Sequence, residues 1–160
     1  MVKISLRIKA NLENISEVYT SHPEYTFLLK LKCLNCGEVS QKWQDVVESE
    51  TQPTKTGKSE THYFAKCKLC SRENSLDIIE GSNGKFTLEH AGKFVNLVTF
   101  DCRGLEPVDF NPTGGWIAKT EGGTVFEDVD LSEKEWVEYD DKLKLSVGIY
   151  ELEHDFIKVK

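Results

Sequence analysis

Apolar and polar residues alternate from the second position onward: Val2, Ile4, Leu6 and Ile8 stand against Lys3, Ser5, Arg7 and Lys9. A period of two puts one set on one side of an extended chain, so a half-buried β-strand is predicted there. Residues 11–23 are polar and turn-rich and read as a loop, with Pro23 fitting a loop or a strand start. Alternation returns over Tyr25 to Lys32, with Phe27, Leu29 and Leu31 on one side, and Val39 to Val47 reads as the return strand with Trp43 inside. Residues 48–60 are rich in Ser, Thr and Lys and contain Pro53 and Gly57, which predicts a mobile hairpin tip or loop.

Thr61 to Lys66, and then Leu76, Ile78 and Ile79, predict two further strands. Phe94 to Cys102 is a run of β-branched and aromatic residues, the signature of a central strand, and Gly104 and Pro107 are expected to stop it. Gly114-Gly115 and Gly122-Gly123 bracket a short strand at Trp116-Ile117-Ala118, and Val125 to Asp130 reads as another. Ser132 with Glu135 matches a capping box, and Trp136, Tyr139 and Leu143 recur at helical spacing, so one short helix is expected. Leu145, Val147 and Ile149 alternate inward until Tyr150, Leu152 and Phe156 take over, a phase slip that predicts a bulge near Ile149.

These elements sum to a mainly β fold of several antiparallel sheets, with at most one or two short helices. With 160 residues and 39% hydrophobic content, the chain is read as one domain over 1–160 with a real core. No stretch approaches a membrane span. The net charge of −7 is unevenly placed: residues 1–100 carry 13 basic and 12 acidic side chains, residues 101–160 carry 7 and 15. A second half at −8 repels phosphate backbones, so nucleic acid is disfavoured as a partner.

The strongest chemical signal is Cys33-Leu34-Asn35-Cys36 followed, thirty residues on, by Cys67-Lys68-Leu69-Cys70. Each short turn aims two sulfurs at one point, which is what a tetrahedral divalent ion requires, so Cys33, Cys36, Cys67 and Cys70 are read as one Zn(Cys)4 site. Gly37 follows the first pair where a left-handed residue is needed. Lys32, Lys66, Lys68 and Arg72 would offset the charge of four thiolates around Zn2+. The wide gap suits a zinc ribbon over about residues 25–80, each pair on its own hairpin turn. Two disulfides or a thioredoxin-type dithiol are the competing readings. The first ten residues alternate and carry Lys3, Arg7 and Lys9 rather than a secretory leader, which points to a reducing compartment, cytoplasm or nucleus.

Cys102, the unpaired thiol, is either a nucleophile activated by Arg103 or a buried strand residue in phase with Phe94, Val98 and Phe100, and burial is the commoner fate of a free cysteine. His62 lies five residues before Cys67, yet four sulfurs already close a structural site. Solvent or packing roles are expected for His22, His62, His90 and His154. Glu127, Asp128 and Asp130 read as a solvated acidic face, and Trp43, Trp116 and Trp136 as core.

Cys33-x-x-Cys36-Gly37-Glu38, Cys67-Lys68-Leu69-Cys70-x-Arg72-Glu73-Asn74-Ser75, Cys102-Arg103-Gly104-Leu105-Glu106-Pro107-Val108-Asp109-Phe110 and Ser146-Val147-Gly148-Ile149-Tyr150-Glu151 together resemble the eukaryotic CXXC-motif-containing zinc-binding proteins. The resemblance covers essentially the whole chain. It implies zinc at Cys33, Cys36, Cys67 and Cys70, an intracellular eukaryotic protein, and coiled antiparallel sheets like the β-tent of methionine-R-sulfoxide reductases and a Rab-binding zinc protein. It supplies no catalytic residue to carry over. The expected function is that of a non-enzymatic cytoplasmic zinc protein whose metal holds two sheet regions in register for binding a protein partner, whose identity the sequence leaves open, as it does the oligomeric state. The alternatives are a metal-handling protein with exchangeable zinc and a sulfoxide-reductase-like thiol enzyme using Cys102.

Overall fold

The computed structural model describes residues 2–54 and 59–159. In chain order the strands are β1 (Val2–Glu13), β2 (Ile15–Thr20), β3 (Thr26–Cys33), β4 (Gln44–Val47), β5 (Gln52–Pro53), β6 (Glu60–Thr61), β7 (Tyr63–Lys66), β8 (Glu73–Ile78) and β9 (Phe86–Thr87). After one 3-10 turn at Leu88–His90 come β10 (Val95–Arg103), β11 (Leu105–Asn111), β12 (Trp116–Thr120), β13 (Val125–Val129), β14 (Trp136–Asp140) and β15 (Leu145–Val159). No described helix is long and apolar enough to cross a membrane.

The strands form a six-stranded sheet in the order β14-β15-β1-β10-β8-β7, a three-stranded sheet β11-β3-β4, a four-stranded sheet β13-β12-β2-β9 and the small pair β5-β6. Every pairing is antiparallel. The mainly β reading of the sequence is thus borne out. β1 is central because its apolar side is continuous: Ile4, Leu6, Ile8 and Ala10 are all buried, flanked by β10 on one side and β15 on the other. β3 buries Phe27, Leu29, Leu31 and Cys33 as its period of two requires. The sheets meet over an aromatic cluster in which the Phe27 ring stands 4.8 Å from Tyr25 and 5.8 Å from Phe100, and Tyr25 stands 5.7 Å from the fully buried Trp116.

Several expectations are corrected. The loop expected over 11–23 is largely strand, because Ile15 and Val18 bury on β2 although they stand three apart, a spacing that hides strand periodicity. The helix expected around Ser132–Leu143 is instead a turn followed by β14, where Trp136 pairs with Ile149 across the edge of the six-stranded sheet. The Asp130 carboxylate accepts the Ser132 amide at 2.9 Å and the Asp140 carboxylate accepts the Lys142 amide at 2.9 Å, so local side-chain turns replace the cap. Only Gln44–Val47 of the stretch after Val39 is strand, and Trp43 lies outside the core with the Lys30 ammonium over its ring at 5.1 Å. Pro107 ends nothing, since it lies within β11 next to an irregularity between Pro107 and Asp109. The bulge expected near Ile149 falls just after it, where pairing with β1 slips and Glu151 takes φ +54°. The hairpin expected over 48–60 is present as β5-β6, and its tip, 55–58, lies outside the described residues.

Candidate metal centre

Two turns built alike carry the four paired cysteines. In the first, the Cys33 amide donates to the Glu38 carbonyl at 2.8 Å and the Gly37 amide to the Cys33 carbonyl at 2.8 Å. In the second, the Cys67 amide donates to the Arg72 carbonyl at 2.8 Å and the Ser71 amide to the Cys67 carbonyl at 2.9 Å. The fourth residue after the leading cysteine is left-handed in both, Gly37 at φ +82° and Ser71 at φ +64°. The repeat follows from one demand: a tight reversal must present two thiols on the same side, with its amides turned inward. Each turn does close its own hairpin, as the spacing predicts. The first hairpin belongs to the three-stranded sheet and the second to the six-stranded sheet.

The four sulfurs converge. Cys33 Sγ lies 3.7 Å from Cys70 Sγ, Cys36 Sγ lies 3.6 Å from Cys67 Sγ, and all four lie within 4.8 Å of one another. In a tetrahedron of Zn–S bonds of about 2.3 Å the sulfurs stand about 3.8 Å apart, so the cluster has room for one zinc ion. All five cysteines are free thiols, which removes the paired-disulfide reading. Among the described residues this is the one group of three or more His, Cys, Asp or Glu side chains with ligand atoms gathered in this way. Cys33 is buried, Cys67 and Cys70 are half-buried and Cys36 is exposed, so the cluster opens to solvent on one side.

The surroundings tune the thiols unequally. Cys33 is lowered to about 6 by the Asn74 side chain and by the amides of Cys36 and Asn35. Cys70 is lowered as well, first by the Asn35 side chain and then by the Arg72 amide. The Asn74 side chain lies buried beneath Cys33, with its amide against the carbonyls of Gly104 and Glu73. Gly104 completes the corner: its carbonyl accepts the Leu34 amide at 2.9 Å, and its φ of +78° turns the chain from β10 of one sheet into β11 of the other.

The other candidates separate clearly from the cluster. Cys102 is buried on β10 between Val2 and Leu76, and burial, aided by the charges of Asp101, Glu106 and Asp77, pushes its thiol up to about 12. That is the opposite of an activated nucleophile. Two of the histidines expected to serve solvent or packing roles have a carboxylate neighbour: His62 Nδ1 accepts the Ile78 amide at 2.8 Å with Asp77 3.8 Å away, and His154 Nε2 lies 3.2 Å from Asp109. His62 is not one of the converging ligands. Glu127, Asp128 and Asp130 are exposed, as a solvated acidic face requires. Sequence reasoning missed Asn74 as a neighbour of the metal centre; its signal was its place in the stretch that follows Cys70.

Four thiols gathered from two turns in this geometry define a class, the all-β proteins with a four-cysteine metal centre. The chain belongs within it to the family of CXXC motif containing zinc binding proteins of eukaryotes, whose sequence profile matches residues 5–157. It is 52% identical to UPF0587 protein CG4646 of Drosophila melanogaster, covering 100% of this chain and 99% of that one. It is 45% identical to the Homo sapiens CXXC motif containing zinc binding protein over 99% of both chains. The crystal structure of C1orf123 superposes with a TM-score of 0.93 at 44% identity, covering 98% of this chain and 99% of that one. A hypothetical protein from Plasmodium falciparum shares the fold, with a TM-score of 0.89 at 21% identity over 98% of this chain and 100% of that one. The resemblance read from the sequence is therefore borne out, and zinc is the metal of the family.

Proposed function

We infer that Cys33, Cys36, Cys67 and Cys70 hold one Zn2+, that the ion is structural, and that the surface it fixes binds another protein. The observation that carries this is the origin of the thiols: two come from a hairpin of the three-stranded sheet and two from a hairpin of the six-stranded sheet. A closed set of four sulfurs leaves no open coordination position for a substrate, which favours a structural ion over a catalytic one. Reduced thiols in this number fit the cytoplasm, with the nucleus as the alternative. Elemental analysis of the purified protein tests the assignment. About one equivalent of zinc that falls below half an equivalent when any one of the four cysteines becomes serine is the expected result. Stoichiometric zinc retained in all four variants would overturn it.

A second role, exchange of zinc with other thiol proteins, is favoured by one feature, the exposure of Cys36. An entering thiolate can reach a metal whose ligand is solvent-facing. Transfer to a chromophoric chelator within seconds supports exchange, and retention over hours supports the structural role alone.

A further inference from the structure

Beside the cysteine cluster lies a groove of about 450 Å3, bounded on one side by β3 and the chain leading into β4, and on the other by β7. β4 ends the three-stranded sheet and β7 ends the six-stranded sheet, and Gln44 of the first and Tyr63, Ala65 and Lys66 of the second line the groove. Its floor is apolar, with Leu31, Leu105, Ala65 and Tyr63, and the Tyr63 hydroxyl donates to Gln44 Oε1 at 3.1 Å across the gap. Its walls carry Lys32, Lys42, Lys66 and Lys68 against the single acid Glu38, in a protein whose net charge is −7. The ion pairs found among the described residues involve none of these lysines. In strand register Lys32 stands opposite Glu106 and Lys66 opposite Glu73. Lys42 and Lys68 have no such counterpart. Lys42 lies six residues beyond Cys36, past the stretch where a cation would merely offset thiolate charge.

We propose that this groove receives an extended acidic segment of a partner protein, with alternate apolar side chains on the floor and carboxylates against the lysines. A strand-like segment suits it because unpaired strand edges offer main-chain hydrogen bonds, and a period of two presents acidic and apolar side chains to different walls. Charge complementarity selects the acidic partner and repels a basic one. Exposed Leu34 and Leu69, one at the crest of each cysteine turn, extend the contact beyond the groove. The proposal names the partner class for the protein-binding role inferred above and rests on it.

The test is fluorescence anisotropy on the full-length zinc-loaded protein, with a fluorescein-labelled peptide of alternating Glu and Val and its Lys and Val counterpart as probes. The acidic peptide is expected to bind at least roughly tenfold more tightly than the basic one, to weaken as salt rises, and to lose about tenfold in the double variant Lys42→Glu, Lys68→Glu. Equal binding of both peptides, or undiminished binding by the variant, overturns the proposal. So does sedimentation showing a salt-sensitive dimer that excludes the peptide, since the acidic half of a second copy is then the occupant. Zinc content measured on the same samples separates the two failures: a chain with one equivalent of zinc that ignores the acidic peptide has lost only the groove, and a chain that binds the peptide without zinc has lost only the metal centre.

Discussion

A Cβ on Gly104 would collide with the side chain of Asn74. One residue turns the chain between two sheets and the other lies under Cys33, so the corner and the metal centre are packed as one unit. The Arg72 Nε would also stand 3.2 Å from that carbon.

Gly104→Ala is therefore strained twice, by a left-handed backbone and by contact with Asn74. A loss of about 1–3 kcal/mol in urea unfolding is expected from the backbone alone, with more from the collision. A midpoint unchanged from the parent would show that the corner yields.

Cys67→Ser should remove both zinc and cooperative melting. Zinc binding at such sites is worth on the order of 10–16 kcal/mol at neutral pH, at least as much as the 5–15 kcal/mol net stability of an ordinary domain. Differential scanning calorimetry checks this, and a variant melting like the parent contradicts it.

Ser71 takes in the second turn the left-handed position that Gly37 takes in the first. Ser71→Gly should therefore be neutral to stabilising, by about 1 kcal/mol, because a residue with a Cβ carries a penalty in that conformation that glycine does not. Thermal unfolding of the zinc-loaded variant reads the sign. A lower midpoint would mean that the serine side chain contributes something its turn geometry does not reveal.

Cys102 couples stability to high pH. Its thiol moves from an ordinary 9.0 to about 12 in the fold, so between those values the folded thiol keeps a proton that the unfolded one has released. Stability supplied by the buried neutral thiol is complete below about pH 9 and declines as pH rises through that window. Cys102→Ala should flatten this part of the pH–stability curve, and the native zinc-loaded protein should resist iodoacetamide at Cys102 at neutral pH. Rapid labelling there would reverse the assignment.

β1 and β3 were legible in the sequence from their alternating apolar residues and β10 from its run of β-branched and aromatic ones, as were the two cysteine turns. β2 was not, because Ile15 and Val18 do not alternate. β14 was mistaken for a helix because Trp136, Tyr139 and Leu143 mimic a helical face. In the structure Tyr139 is half exposed at 51%, so that spacing encoded no buried stripe. Trp43 misled for a different reason: a large aromatic ring was assigned to the core, whereas a lysine covers it at the surface. The meeting of the two cysteine pairs was inferable from chemistry alone. That they arrive on different sheets was not, because pairing between distant strands leaves no local trace.

The pairing of β1 with β15 joins the earliest and latest strands described, Lys3 lying opposite Val159. During synthesis the six-stranded sheet must wait for that last strand, whereas all four paired cysteines have emerged once residue 70 clears the ribosome. A nascent chain can thus present all four paired thiols to a metal ion well before its largest sheet closes.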